Sequence, residues 1–91
     1  MGSKKARFNQ KGIAGLPNDR PALYRIETRE GKLNYVGTAK KGRVRERIAE
    51  HMGEIPGANV QIEQFSSINQ AHQKEARVIE RNKPKYNKQG N

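Results

Sequence analysis

Cysteine and tryptophan are absent from this chain of 91 residues, and it has only two phenylalanines and three tyrosines. Without cysteine no disulfide can staple the fold and no thiolate can bind a metal. This fits a reducing interior, and a cytoplasmic location is expected. No apolar run approaches the roughly 20 residues that a membrane-spanning helix needs, so no span is expected. Lys4, Lys5 and Arg7 stand near the N-terminus, but no apolar stretch follows them, which is not the pattern of a secretory signal. No strongly amphipathic helix with aromatic anchors accompanies the cations, which argues against an anionic membrane surface as partner. Carboxylates are scarce as well: 9 Asp and Glu stand against 19 Lys and Arg, a formal net charge of +10. On a chain with room for one small domain this is a dense positive field, and DNA or RNA is the default partner. A merely solubilising surface is the plain alternative.

With 32% hydrophobic residues the core must be small. Residues 1–20 read as a basic, flexible arm punctuated by Gly12, Gly15 and Pro17, with Pro17-Asn18-Asp19 as a turn. Residues 21–91 read as the folded domain, with the last few residues loose. Alternation from Tyr24 predicts a strand over 22–26, and Leu33 to Gly37 predicts its hairpin partner across a turn at Gly31. Thr38 to Gly42 breaks the pattern. Val44, Ile48 and Met52 then recur at helical spacing, with Gly53 as a stop. Val60 and Ile62 mark a third strand ending near Phe65. Ser66 or Ser67 caps a last helix that carries Ala71, Glu75, Val78 and Ile79 and runs to about Asn82, before Pro84. The expected fold is α+β: a small three-stranded antiparallel sheet flanked by helices.

Several residues combine chemistry with position. Tyr24 and Tyr35 lie 11 positions apart on the hairpin. They either fill strand positions by packing or act on a water beside a phosphate, a role for which a phenol needs cations or a metal to lower its pKa. Five of the eight residues from Lys40 to Arg47 are basic. Cations are unfavourable at a helix start, so Lys40, Lys41, Arg43, Arg45 and Arg47 there suggest a phosphate target, unless they only solubilise that face. Arg47 flanks the apolar stripe and can bind phosphate oxygens bidentately. His51 follows one turn later and either packs or moves a proton. His72 has no motif around it and reads as surface. Glu75 lies near the buried edge of the last helix. A lone carboxylate there can hold one Mg²⁺ or Mn²⁺ with water and phosphate completing the shell, or it pairs with Lys74 or Arg47. No second carboxylate stands close by to suggest a two-metal clamp.

Together these residues resemble the GIY-YIG nucleases. Leu23-Tyr24 resembles the end of the family's first motif, and Tyr35-Val36-Gly37 its second. Val44 to His51 resembles its helix, with Arg47 in the place of the catalytic arginine and His51 in that of the histidine. Glu75 matches the metal-binding glutamate, and Lys83-Pro84-Lys85-Tyr86-Asn87 the closing motif with its asparagine. The match spans residues 21–88 and is most like the repair-nuclease (UvrC-type) and small stand-alone branches. It departs at Ala22, where the family name has glycine, and in the spacing from Tyr35 to Arg47. That spacing is 12 positions, so Arg45 competes by count while Arg47 keeps register with Val44, Ile48 and His51.

The resemblance implies a Mg²⁺- or Mn²⁺-dependent endonuclease acting on DNA, through one metal held by Glu75. It implies Tyr24 as general base or water-orienting group, with Tyr35 beside it. Arg47 would offset charge on the phosphate and His51 would assist proton transfer. Asn87 would tie the C-terminal segment to the site, and Gly37 would let backbone approach it. The products would be a 5′ phosphate and a 3′ hydroxyl. Lys40, Lys41, Arg43, Arg45, Arg47 and Lys85 are the expected DNA contacts, and the oligomeric state is open, a dimer included. The rivals are a catalytically inactive nucleic-acid-binding module and a small basic protein that prefers structured RNA.

Overall fold

A computed structural model describes residues 3–87. The expectation of loose final residues falls mostly outside that range. In chain order the elements are β1 (Ser3–Arg7), α1 (Gln10–Ala14), β2 (Ala22–Glu27), β3 (Leu33–Ala39), α2 (Val44–Glu50), β4 (Asn59–Gln64) and α3 (Ile68–Asn82). The strands form one antiparallel sheet in the order β1-β4-β2-β3. The sheet therefore has four strands, not three, and β3 is an edge.

The extra strand lies in the segment expected to be a flexible arm. β1 pairs with β4 from Ser3 opposite Glu63 to Arg7 opposite Asn59. Asn9 caps α1, its side-chain oxygen accepting from the Gly12 amide at 2.8 Å. Ile13 and Leu16 are then buried at 4% and 2% exposure. Backbone pairing and these two side chains, rather than an apolar period, order the segment.

The alternation read in β2 and β3 splits the sheet into two faces. Tyr24, Ile26, Val60 and Ile62 join Ile13, Leu16, Val44 and Ile48 in the larger core, beneath α1 and α2. Leu23 and Val36 face the other way and pack with Val78, Leu33, Phe65 and Ile79 under α3. Ala22 begins β2 opposite Ala39, so β3 continues through Thr38 and Ala39, where a break was expected. Within α2 the buried positions are Val44 and Ile48, and Met52 packs on the core from the turn that follows. Arg43 makes no side-chain cap for α2. Asn18 supplies it from a distance, its side-chain oxygen accepting from the Val44 amide at 2.8 Å. Ser67 caps α3, accepting from the Gln70 amide, and Lys83 ends that helix in the left-handed region.

Candidate active site

Since β3 is an edge strand, α2 on one face and α3 on the other can both send side chains around it. β2 and β3 place Tyr24 opposite Gly37 and Ile26 opposite Tyr35, so both phenols lie on the α2 face. Their ring centroids are 6.2 Å apart. Gly37 makes this possible: a Cβ there would sit 2.6 Å from both Cζ and Oη of Tyr24 and 3.0 Å from Cε2 of Tyr35. The requirement is space, not an unusual φ.

His51, just past the end of α2, completes the aromatic group. Its Nε2 lies 2.8 Å from Tyr24 Oη, and its ring centroid 4.6 Å from that of Tyr35. Its Nδ1 is buried and has no hydrogen-bond partner among the described residues. Burial holds the imidazole below its ordinary pKa; Glu54 and Glu50 oppose the shift and Arg47 adds to it. The ring is therefore neutral at pH 7.

Tyr24 has no exposed surface, and burial pushes its phenol well above its ordinary value. Tyr35 and Glu75 raise it further, while the Arg47 guanidinium pulls it back. Tyr35 is raised by the same main cause, burial, with Glu75 raising and Arg47 lowering it. Among the protein's own groups, desolvation outweighs Arg47 at both phenols. Arg47 from α2 and Glu75 from α3 are thus both within electrostatic reach of the two tyrosines.

Arg47 is exposed and makes no salt bridge among the described residues. Arg45 is different: its Nε donates to the Leu16 carbonyl at 2.6 Å, which turns it onto α1 and away from the phenols. The structure thus separates the two arginines: Arg45 is engaged by a backbone carbonyl, and Arg47 lies toward the phenols. Arg43 pairs with Glu46 at 2.8 Å, while Lys40 and Lys41 are exposed in the loop before α2. Asn87 grips the open side of β3, its side-chain oxygen accepting from the Val36 amide and its Nδ2 donating to the Val36 carbonyl, both at 2.9 Å. The Tyr86 amide donates to the Asn34 carbonyl. Lys85 is exposed beside Tyr86.

Glu75 is 25% exposed, and its carboxylate faces His72 Nδ1 at 3.5 Å. Lys74 pairs with Glu63 instead. The same His72 nitrogen lies 3.1 Å from Thr38 Oγ1. His72 is exposed, as expected, and in addition spans from α3 to β3 beside Glu75. Its place one turn before Glu75 on one helix face was visible in the sequence; the Thr38 contact was not.

The fold has counterparts among solved structures. The chain is similar to the GIY-YIG N-terminal endonuclease domain of UvrC from Thermotoga maritima bound to magnesium, at 25% identity and a TM-score of 0.65, with 86% of this chain and 93% of that one covered. An asparagine-to-alanine point mutant of that domain, bound to its catalytic divalent cation, gives a TM-score of 0.71 at 20% identity, covering 87% and 93%. The fold is GIY-YIG. No protein-family model matches the chain, and no curated protein matches it in sequence. Among the described residues no helix is long and apolar enough to cross a membrane.

Proposed function

We propose that the chain is a metal-dependent endonuclease that hydrolyses DNA phosphodiester bonds. One observation carries the reading: two phenols and an imidazole form one cluster, with Tyr24 Oη 2.8 Å from His51 Nε2, within electrostatic reach of Arg47 from α2 and Glu75 from α3. Binding alone would not need a carboxylate in a basic cleft, where it repels phosphate unless a cation stands between. The likeness to endonuclease domains that bind a divalent cation supports the same reading.

The donors fit Mg²⁺ or Mn²⁺. Glu75 offers a hard, partly exposed oxygen ligand, and Mg²⁺ is commonly held by one or two carboxylates with waters and substrate phosphate completing its shell. Bound there, the cation supplies positive charge that polarises the scissile phosphate and stabilises the leaving 3′ oxygen.

The remaining work falls to the chain. Burial raises the Tyr24 phenol, so without a cation beside it the hydroxyl keeps its proton. Tyr24 is fully buried at rest, so the site must open at Oη to admit the attacking water; the phenol then accepts its proton while passing its own to His51 Nε2 along the 2.8 Å hydrogen bond. The neutral imidazole is the form that can receive it. Tyr35 orients water or phosphate beside this pair. Arg47, with no carboxylate partner among the described residues, offsets charge on the pentacovalent phosphate. Asn87 fixes the β3 edge through Val36. The bond between phosphorus and the 3′ oxygen breaks, and the leaving oxygen takes a proton from solvent, giving a 5′ phosphate and a 3′ hydroxyl.

The test is cleavage of duplex, flap, bubble, four-way-junction and single-stranded DNA, each with Mg²⁺, Mn²⁺ or chelator. Glu75→Ala should abolish metal-dependent cleavage and leave DNA binding largely intact. Unchanged cleavage by that variant sinks the mechanism. Binding without cleavage of any form by the wild type favours the inactive nucleic-acid-binding module.

A further inference from the structure

A pocket of about 310 Å³ opens beside the site, between the end of β3, the loop before α2 and the first turns of α3. Thr38, Lys40, Arg43, Arg47 and His72 supply its polar lining, and no carboxylate lines it. Four cations or donors and a hydroxyl thus surround one small concavity. Among the described residues Lys40 and Arg47 make no salt bridge, so no carboxylate there neutralises their charge. With its cationic side chains and no carboxylate in the lining, the pocket suits a phosphate group.

Its position says which phosphate. Arg47 is shared between the pocket and the phenol cluster, and His72 touches both Thr38 in the pocket wall and Glu75 at the site. An anion seated there lies next to the reacting phosphate and not at a separate surface. We propose that the pocket binds a backbone phosphate of the DNA strand flanking the scissile one, with Lys40, Thr38 and His72 as its contacts and Arg47 bridging the two. This rests on the nuclease reading for the identity of the neighbouring site, but the contact itself forms without cleavage. Thr38 and His72 then select the path of the strand across the β3 edge, from Glu75 toward the loop before α2.

The experiment is DNA binding in chelator, where cleavage plays no part, using duplexes that carry one neutral methylphosphonate at each position in turn. The wild type should lose affinity at one position flanking the preferred site. Lys40→Gln and Thr38→Val should each bind more weakly than wild type and lose that position's sensitivity, because the contact is already gone. Lys40→Gln should also reduce the slope of log K against log salt by about 0.9, the value of one released phosphate contact. Arg81→Gln, an equal change of charge at the far end of α3, should keep the wild-type interference pattern. An interference pattern in Lys40→Gln and Thr38→Val identical to wild type at every position overturns the proposal. So does a response of the Thr38 and His72 NMR signals to inorganic phosphate but not to the oligonucleotide, which would mark a free-anion site. Loss of cleavage with the predicted interference intact would defeat the nuclease reading and leave the phosphate pocket standing.

Discussion

The Tyr24 hydroxyl and the His51 Nε2 lie 2.8 Å apart, and burial drives the two groups in opposite directions: the phenol up, the imidazole down. Both shifts favour the neutral form. The pair is therefore a neutral hydrogen bond at rest, able to exchange a proton only when a third group supplies one. In the proposed reaction the attacking water is that group. Tyr24→Phe removes the hydroxyl and keeps the ring, so it should lower cleavage by about 10²- to 10⁴-fold, the range of general acid–base catalysis. Single-turnover cleavage with saturating enzyme measures it; a loss under threefold would remove Tyr24 from the proton path.

The same shifts predict how stability depends on pH. Below His51's ordinary value of 6.5 the unfolded chain takes up a proton that the folded chain refuses, so stability falls as pH drops, until the folded imidazole titrates too. Above Tyr24's ordinary value of 10.0 the unfolded chain releases a proton that the folded chain keeps, so stability falls as pH rises, with Tyr35 adding to the effect. His51→Gln should flatten the acid limb of thermal midpoint against pH and leave the alkaline limb. Tyr24→Phe should do the reverse. An acid limb unchanged in His51→Gln assigns it to other groups.

Arg45 and Arg47 should behave as different residues in spite of their nearness in sequence. Arg45 donates to Leu16 and belongs to the join between α1 and α2. Arg45→Gln should cost about 1 kcal/mol of stability, the scale of one hydrogen bond, and act on the thermal midpoint more than on turnover. Arg47→Gln should lower kcat by about 10²- to 10³-fold, as removal of a transition-state charge partner does, with little change in thermal midpoint. The opposite assignment of effects would put Arg45 at the phosphate.

How far the sequence reveals this fold depends on where the information lies. β2, β3, β4, α2 and α3 announce themselves because their apolar residues recur at the period of the element, as Val44 and Ile48 do in α2. β1 does not: its order comes from backbone pairing with β4, and only Ala6 and the following Phe8 touch the core. The helix start at Val44 is likewise supplied by Asn18, 26 residues away, which no local cap pattern can reveal. Tyr24, Tyr35, Arg47, His51 and Glu75 were legible as a set through their resemblance to a motif. The direction of the Tyr24 shift was not, because it is decided by how completely the sheet and α2 desolvate the ring. His72 carried half a signal, its spacing from Glu75; its bond to Thr38 exists only once α3 crosses β3.

Removing residues 1–20 should unfold the chain instead of merely weakening DNA binding. Ile13 and Leu16 are almost wholly buried, and each contributes about 1.5–3 kcal/mol by burial. Loss of the Asn18 cap costs about 1 kcal/mol more. A small domain has only about 5–15 kcal/mol in all, and the deletion also uncovers the β4 edge. Far-UV circular dichroism and a proton–nitrogen NMR spectrum of the 21–91 fragment check this. A dispersed spectrum with a cooperative melt would restore the picture of a dispensable arm.

Gly37 provides the sharpest separation of stability from chemistry. An alanine there would place its methyl 2.6 Å from the Tyr24 Cζ and Oη, inside contact distance, while Tyr24 has no exposed surface into which to retreat. The ring must shift, and the Tyr24–His51 hydrogen bond is the most geometry-dependent contact it makes. Overpacking of this kind costs about 1–3 kcal/mol, so Gly37→Ala should still fold. Its cleavage should nonetheless fall nearly as far as that of Tyr24→Phe. Because both changes disable the same bond, the double variant should lose little activity beyond the worse single one, a coupling that independent effects would not produce. Full additivity in that cycle would mean that Gly37 acts on cleavage by another route than the placement of Tyr24.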